Sequence, residues 1–144
     1  MKIYFAGSIR GGRADASVYE SMIAHLSTFG EVLTEHVGDL SLSEDGNDGA
    51  DDRCIYDRDM AWLSRCDFVV AEVSTPSLGV GYELGYAVAM KKPVLCLQRF
   101  KPERRLSAMI AGSPGIQTAV YGSIDEAKKI LEGFLKGRIR TTAE

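Results

Sequence analysis

Asp67-Phe68-Val69-Val70-Ala71-Glu72-Val73 is the stretch that decides the fold. It is short, rich in β-branched residues and almost continuously apolar. Such a run reads as a strand, the clearest in the chain. A turn over Thr75–Gly81 follows, and Tyr82–Met90 then reads as a helix, with Gly85 admitting a close neighbour. Strand, turn and helix make half of a parallel βαβ unit, so more such units are expected on either side.

Upstream, Lys2–Ala6 is strand-like and runs into Gly7-Ser8. Ala14–Phe29 carries Val18, Met22, Leu26 and Phe29 near helical spacing, and Gly30 fits a helix stop. Glu31–Glu35 reads as a second strand. Leu40–Asp52 is acidic and glycine-bearing, a solvated loop that lacks the ligand spacing of a calcium loop. Arg53–Arg65 is a helix whose Ile55, Trp62 and Leu63 form an apolar face. Downstream, Pro93–Gln98 is the fourth strand, Arg104–Ile110 a short helix and Ile116–Tyr121 the fifth strand. Ser123 opens the last helix with Glu126 at the capping-box position, Lys136-Gly137 ends it, and the tail from Arg138 should fray.

Five strands alternating with helices imply an α/β fold, a doubly wound, flavodoxin- or Rossmann-like parallel sheet with helices on both faces. The expected strand order is 2-1-3-4-5, in one domain spanning residues 1–144. In such sheets a ligand sits beyond the carboxyl ends of the strands, at the switch point between strands 1 and 3. That selects the loops after Ala6 and after Val73.

The composition fits an ordinary globular domain, 45% hydrophobic and 26% charged. A net charge of -3 gives no basic footprint for nucleic acid, while a few local donors would suffice for one small anion. The cysteines are Cys54, Cys66 and Cys96, an odd number at wide spacing, and Cys66 and Cys96 sit in apolar surroundings. Free thiols are expected, with no disulfide framework, no metal site and no cofactor. No signal peptide or membrane-length apolar segment is visible, so a cytoplasmic or nuclear setting is expected, with no membrane partner.

The first selected loop reads Gly7-Ser8-Ile9-Arg10-Gly11-Gly12-Arg13. Its glycines let backbone N–H groups approach an anion, and the helix behind it adds partial positive charge. Ser8, Arg10 and Arg13 can donate further bonds. This is neither a P-loop nor a dinucleotide fingerprint. The alternative is a plain turn with solvated arginines. In the second loop, Ser77 can donate to a phosphate or simply close a turn, and Gly79 follows it. Glu83 is expected in the first helical turn, where the dipole favours its anion and hence a nucleophile. It could equally be a cap.

Ile55, Asp59 and Trp62 recur at i, i+4, i+7, which puts Asp59 on an apolar stripe where a carboxylate needs a partner. It could orient a nucleophile or sugar hydroxyl, or form a structural salt bridge. Asp57 should be solvated. Tyr4 is out of register with Ile3 and Phe5, and is either a site hydroxyl or core packing. His36 and Asp39, after strand 2, could edge the pocket. His25 reads as a helix-surface residue.

The segments YFAGSIRGGR, VLTEH, VVAEVSTPSLGVGYELGYA and LSAMI, in that order from Lys2 to about Ile110, resemble the 2'-deoxynucleoside 5'-phosphate N-hydrolases, the Rcl proteins of the nucleoside 2-deoxyribosyltransferase superfamily. The resemblance implies Glu83 as catalytic nucleophile, assisted by Tyr4 and Asp59. It implies phosphate held by Gly7 through Arg13 and by Ser77. It further implies a homodimer in which Ser107, Ala108 and Met109 of LSAMI reach the partner's site, Ser107 toward phosphate and Met109 toward the base. The reaction expected is hydrolysis of the N-glycosidic bond of a deoxynucleoside 5'-monophosphate, with 5-hydroxymethyl-dUMP as the suggested substrate. A deoxyribosyltransferase, a ribonucleotide hydrolase of the cytidylate type and a non-catalytic nucleotide-binding module are the competing readings.

Overall fold

The computed structural model describes residues 1–43 and 50–139. The central part of the acidic loop and the end of the tail lie outside those residues. The described chain forms a five-stranded, all-parallel sheet in the order β2-β1-β3-β4-β5, as the sequence predicts.

The strands are β1 (Lys2–Ala6), β2 (Glu31–Val32), β3 (Phe68–Glu72), β4 (Val94–Arg99) and β5 (Ile116–Tyr121). The helices are α1 (Ala16–Leu26), α2 (Asp52–Arg65), α3 (Leu78–Ala89), α4 (Ala108–Ala111) and α5 (Ile124–Ile139). Successive strand residues point to opposite faces, so each strand feeds two cores. Ile3, Phe5, Val70, Leu95 and Leu97 pack against Tyr19, Met22 and Leu26 of α1 and Leu131 and Leu135 of α5. Tyr4, Ala6, Val69, Ala71, Val94 and Cys96 pack against Leu63 of α2 and Val80, Leu84 and Ala87 of α3. Burial on both sides explains the continuous apolar run of β3.

Several boundaries differ from expectation. β2 is only two residues long, because the chain turns at Thr34 into a 3-10 turn over Glu35–Gly38. Thr34 there exchanges hydrogen bonds with the backbone of Phe5, at 2.8 and 2.7 Å, in place of a longer ladder. α4 is one turn starting at Ala108, not a helix from Arg104. α1 starts two residues later than expected and α5 runs past Gly137 to Ile139. At the start of α5 the capping box forms, with Glu126 N–H donating to Ser123 Oγ at 3.2 Å and Gly122 N–H to Glu126 Oε2 at 2.6 Å. His25 is half-buried, not on the open surface, with Glu132 3.4 Å away. All three cysteines are free. Among the described residues no helix is long and apolar enough to cross a membrane.

The most consequential shift is in α3. Its helix begins at Leu78, four residues earlier than the glycines suggest, because Ser77 caps it by accepting from Val80 N–H at 3.3 Å. Glu83 is therefore the sixth helical residue and sits in the second turn, beyond the reach of the dipole argument.

Candidate active site

β1 and β3 pair with Tyr4 opposite Val69 and Ala6 opposite Ala71, so the loops following them meet at the sheet's carboxyl edge. Gly11 marks how closely they meet. A Cβ there would lie 2.7 Å from the Pro76 carbonyl oxygen and 2.7 Å from Ser8 Oγ, so only glycine fits. Gly12 has φ of 125°, a conformation side chains resist. Gly7 packs on the Tyr19 ring, where a Cβ would come within 2.9 Å. Ser8 is fully buried, and its N–H donates to Tyr19 Oη at 3.1 Å. Its hydroxyl has no hydrogen-bond partner among the described residues, which is uncommon for a buried polar atom.

The two arginines of this loop differ. Arg10 is exposed and pairs with Asp52 at 2.7 Å. Arg13 is engaged in holding the loops together. It donates to the carbonyls of Val37 and Asp39 at 2.8 Å each, and to those of Leu42 at 3.2 Å and Ser8 at 3.4 Å. Behind the loop lies a buried polar network that the sequence reading missed. Asp15 accepts from Thr75 Oγ1 at 2.8 Å and pairs with Arg99. Glu72, fully buried, accepts from Ser74 Oγ and from Tyr121 Oη. Burial pushes the Glu72 carboxyl above its ordinary range. This network ties the ends of β3, β4 and β5 to the start of α1.

On the other face of the sheet, Tyr4 Oη donates to Glu83 Oε1 at 2.7 Å. Tyr4 is 1% exposed, and its alternation with Ile3 and Phe5 is what turns it toward α3. Glu83 is crowded by protein yet retains a solvent-accessible part. Desolvation by burial raises its carboxyl to about 7; Tyr4's hydrogen bond opposes the rise and the charge of Asp59 adds to it. The Tyr4 phenol is held far above its usual range, first by burial and then by the charges of Glu83 and Asp59. Asp59 is thus electrostatically coupled to both, and it pairs with Arg58 at 3.0 Å. Asp57 instead pairs with Arg53 along the exposed side of α2.

His36 stands in the 3-10 turn, its ring centroid 5.7 Å from that of Trp62. Asp39 is turned toward its own loop, accepting from Ser41 N–H and Oγ at 2.8 and 2.7 Å. Those bonds lower its carboxyl below the usual range. Gly79 lies in the first turn of α3. Ser107 precedes α4 without a side-chain capping bond, and Ser107, Ala108 and Met109 are all exposed, Met109 at 82%. Within one chain they stand apart as a surface group. The structure therefore brings Tyr4, Asp59 and Glu83 together and sets the glycine loop beside Ser77. Arg58 and Trp62 join the site unannounced, since their contacts run to His36, far away in sequence.

The comparisons with known proteins agree with this architecture. A family model described as nucleoside 2-deoxyribosyltransferase matches residues 3–125. The 5-hydroxymethyl-dUMP N-hydrolase of Tetraodon nigroviridis is 53% identical over 141 residues, covering 96% of this chain and 99% of that protein. The human protein of the same name is 54% identical over 112 residues, 77% of this chain and 64% of its own length. In fold, the chain is similar to the CMP N-glycosidase of Clostridium botulinum, with a TM-score of 0.66 at 19% identity, over 92% of this chain and 98% of that one. It is also similar to the 2-deoxyribosyltransferase of Bacillus psychrosaccharolyticus, with a TM-score of 0.62 at 16% identity, over 89% and 90%. With a glycine loop after β1, a tyrosine-bound glutamate on α3 and this extent of match, the chain belongs to the nucleoside 2-deoxyribosyltransferase family.

Proposed function

We propose that this chain hydrolyses the N-glycosidic bond of 2'-deoxynucleoside 5'-monophosphates, releasing free base and 2-deoxyribose 5-phosphate. The observation that carries the reading is the Tyr4–Glu83 hydrogen bond between β1 and α3. The names of relatives identical at about half of their positions support the reaction class and suggest 5-hydroxymethyl-dUMP as a substrate.

In this mechanism the Glu83 carboxylate attacks C1' as the bond from C1' to the base nitrogen breaks, through an oxocarbenium-like state. The bond electrons leave with the base, which takes up a proton, and a glycosyl ester forms on Glu83. Water then cleaves the ester, releasing the sugar phosphate and regenerating the carboxylate. Asp59 is the group that manages protons. Tyr4 orients Glu83 and stabilises its charge. With its carboxyl raised to about 7, Glu83 is a stronger nucleophile than an ordinary carboxylate in the fraction that is ionised, and it remains a workable leaving group in the second step. The absence of a 2'-hydroxyl makes the oxocarbenium easier to reach.

The phosphate lies against Gly7 through Arg13 and Ser77, where the buried Ser8 hydroxyl supports a donor role. Binding it there orients the sugar. A second copy of the chain contributes Ser107 to the phosphate and Met109 to the base. The exposure of both residues, and of Leu78 at 97%, supports such a partner.

One competing reaction is transfer of the sugar to another base, favoured by the description of the matching family model. The test is an assay of purified protein against deoxynucleoside monophosphates, their ribo counterparts and the unphosphorylated nucleosides, with and without a second base. Hydrolysis predicts base release from the deoxynucleotides without an acceptor. Turnover that requires the second base would reassign the chain as a transferase. Preferential turnover of ribonucleotides would reassign it as a ribonucleotide hydrolase, and saturable binding without release would make it a binding module.

A further inference from the structure

Arg58 lies on α2 next to Asp59, with its side chain 28% exposed. Its Nε donates to Asp59 Oδ1 at 3.0 Å. Its Nη2 lies 3.3 Å from His36 Nε2. Its guanidinium carbon stands 4.8 Å from the centroid of the Trp62 ring, and that ring in turn neighbours His36. An exposed ion pair between neighbouring residues usually contributes little. This one is different, because a planar fork is fixed by a carboxylate, an imidazole and an aromatic face at once.

The contact with His36 carries further information. A guanidinium has five donors and no acceptor. The hydrogen bond therefore exists only if His36 Nε2 accepts, which requires the imidazole to carry its single proton on Nδ1. A doubly protonated ring would set two cations against each other and lose the bond.

We propose that Arg58 is a positioning residue, one that aims the Asp59 carboxylate and locks His36 as its neutral Nδ1–H tautomer. The inference rests on the reading of Asp59 given under the proposed function. Arg58 acts through those two groups and does not itself touch the reacting atoms. Trp62 supplies the flat surface that keeps the guanidinium in plane.

The test compares Arg58→Met and Arg58→Lys with the unaltered chain. Four quantities are read: kcat on a deoxynucleoside monophosphate, inhibition by inorganic phosphate, the melting temperature and the 15N shifts of the His36 ring. Arg58→Met is expected to lose kcat by about tenfold to a hundredfold, the span that charge-assisted hydrogen bonds command. Phosphate inhibition should change by less than about twofold, because Arg58 acts on Asp59 and His36 and not on the phosphate. His36 Nε2 should resonate as an unprotonated nitrogen in the unaltered chain and lose that signature in Arg58→Met. Arg58→Lys should recover part of kcat, since it keeps the charge without the fork. Turnover of Arg58→Met within about twofold of the unaltered chain would overturn the proposal. So would a fall in kcat matched by equal weakening of phosphate inhibition, which would mean general collapse. If Arg58→Met fails to fold, an unchanged kcat and His36 signature in Arg58→Lys would overturn it as well. If the unaltered chain releases no base, the functional reading fails and takes this one with it; if it releases base and Arg58→Met matches it, only the role of Arg58 fails.

Discussion

Glu83 shows how one side chain couples chemistry to stability. Burial raises its carboxyl from the ordinary 4.5 to about 7, so it is only partly ionised at neutral pH. For a nucleophile that must be charged, kcat/KM should rise with pH up to about 7 and level off above. Tyr4 donates to the charged form, so Tyr4→Phe should move this limb upward by roughly one to two pH units. The substrate phosphate titrates near pH 6 as well, but Tyr4→Phe cannot move that limb, which separates the two in a pH–rate profile. Stability carries the opposite sign. The folded chain binds this proton more tightly than the unfolded one, so the contribution is full below about 4.5 and is lost as pH rises to about 7. Glu83→Gln should therefore melt above the unaltered chain at pH about 8, with the gap closing toward pH about 4. A gap that did not change with pH would count against a strained carboxylate. Sequence pattern alone left Glu83 between nucleophile and cap, and the dipole argument for its charge relied on a helix start that is four residues too late. The neighbours that tune Glu83 come from β1 and α2, so no local pattern could reveal them.

Elements were more legible than their ends. The near-continuous apolar run of β3 and the expectation of helices on both faces of the sheet predicted a two-sided core, and the paired cores bear that out. The start of α3 was masked because Gly79 and Gly81 look like turn residues, whereas Ser77 had already capped a helix. The shortening of β2 was hidden for a related reason, since Thr34 replaces ladder bonds with side-chain bonds to Phe5. At the two facing loops, Gly11 is the close-approach residue. Gly11→Ala should push its loop away from Pro76, costing roughly 1–3 kcal/mol as overpacked sites do. The expected readouts are a lower melting temperature and a higher KM for the nucleotide, with kcat less affected. An unchanged KM would mean that the loop does not hold the phosphate. The loop's arginines show the limit of a motif. Both suggested anion binding, yet Arg13 is engaged by four carbonyls, those of Ser8 in its own loop, Val37 in the 3-10 turn and Asp39 and Leu42 beyond it, acceptors that no spacing rule anticipates.

At the scale of the whole molecule, the strand order places the candidate site between β1 and β3, where the direction of winding reverses. Counting alternating units gives the parallel sheet, and the order 2-1-3-4-5 is the doubly wound arrangement chosen for it. The proposed partner subunit does not follow from such counting, because the Ser107–Met109 group has no counterpart to meet within one chain. If a second copy completes the site, two inactive variants should rescue each other. Glu83→Ala supplies an intact Ser107, and Ser107→Ala supplies an intact Glu83. Mixing them under conditions of subunit exchange should restore up to roughly a quarter of the sites, since half of the dimers are mixed and each regains one site. No recovery despite demonstrated exchange would place Ser107 outside the partner's site. The central claim, however, is covalent hydrolysis at Glu83, and base release from a deoxynucleoside monophosphate by the unaltered chain and by Glu83→Ala, measured side by side, tests it most directly. The account predicts free base and 2-deoxyribose 5-phosphate from the unaltered chain, and no measurable release from a folded Glu83→Ala. Unchanged turnover by Glu83→Ala would contradict it.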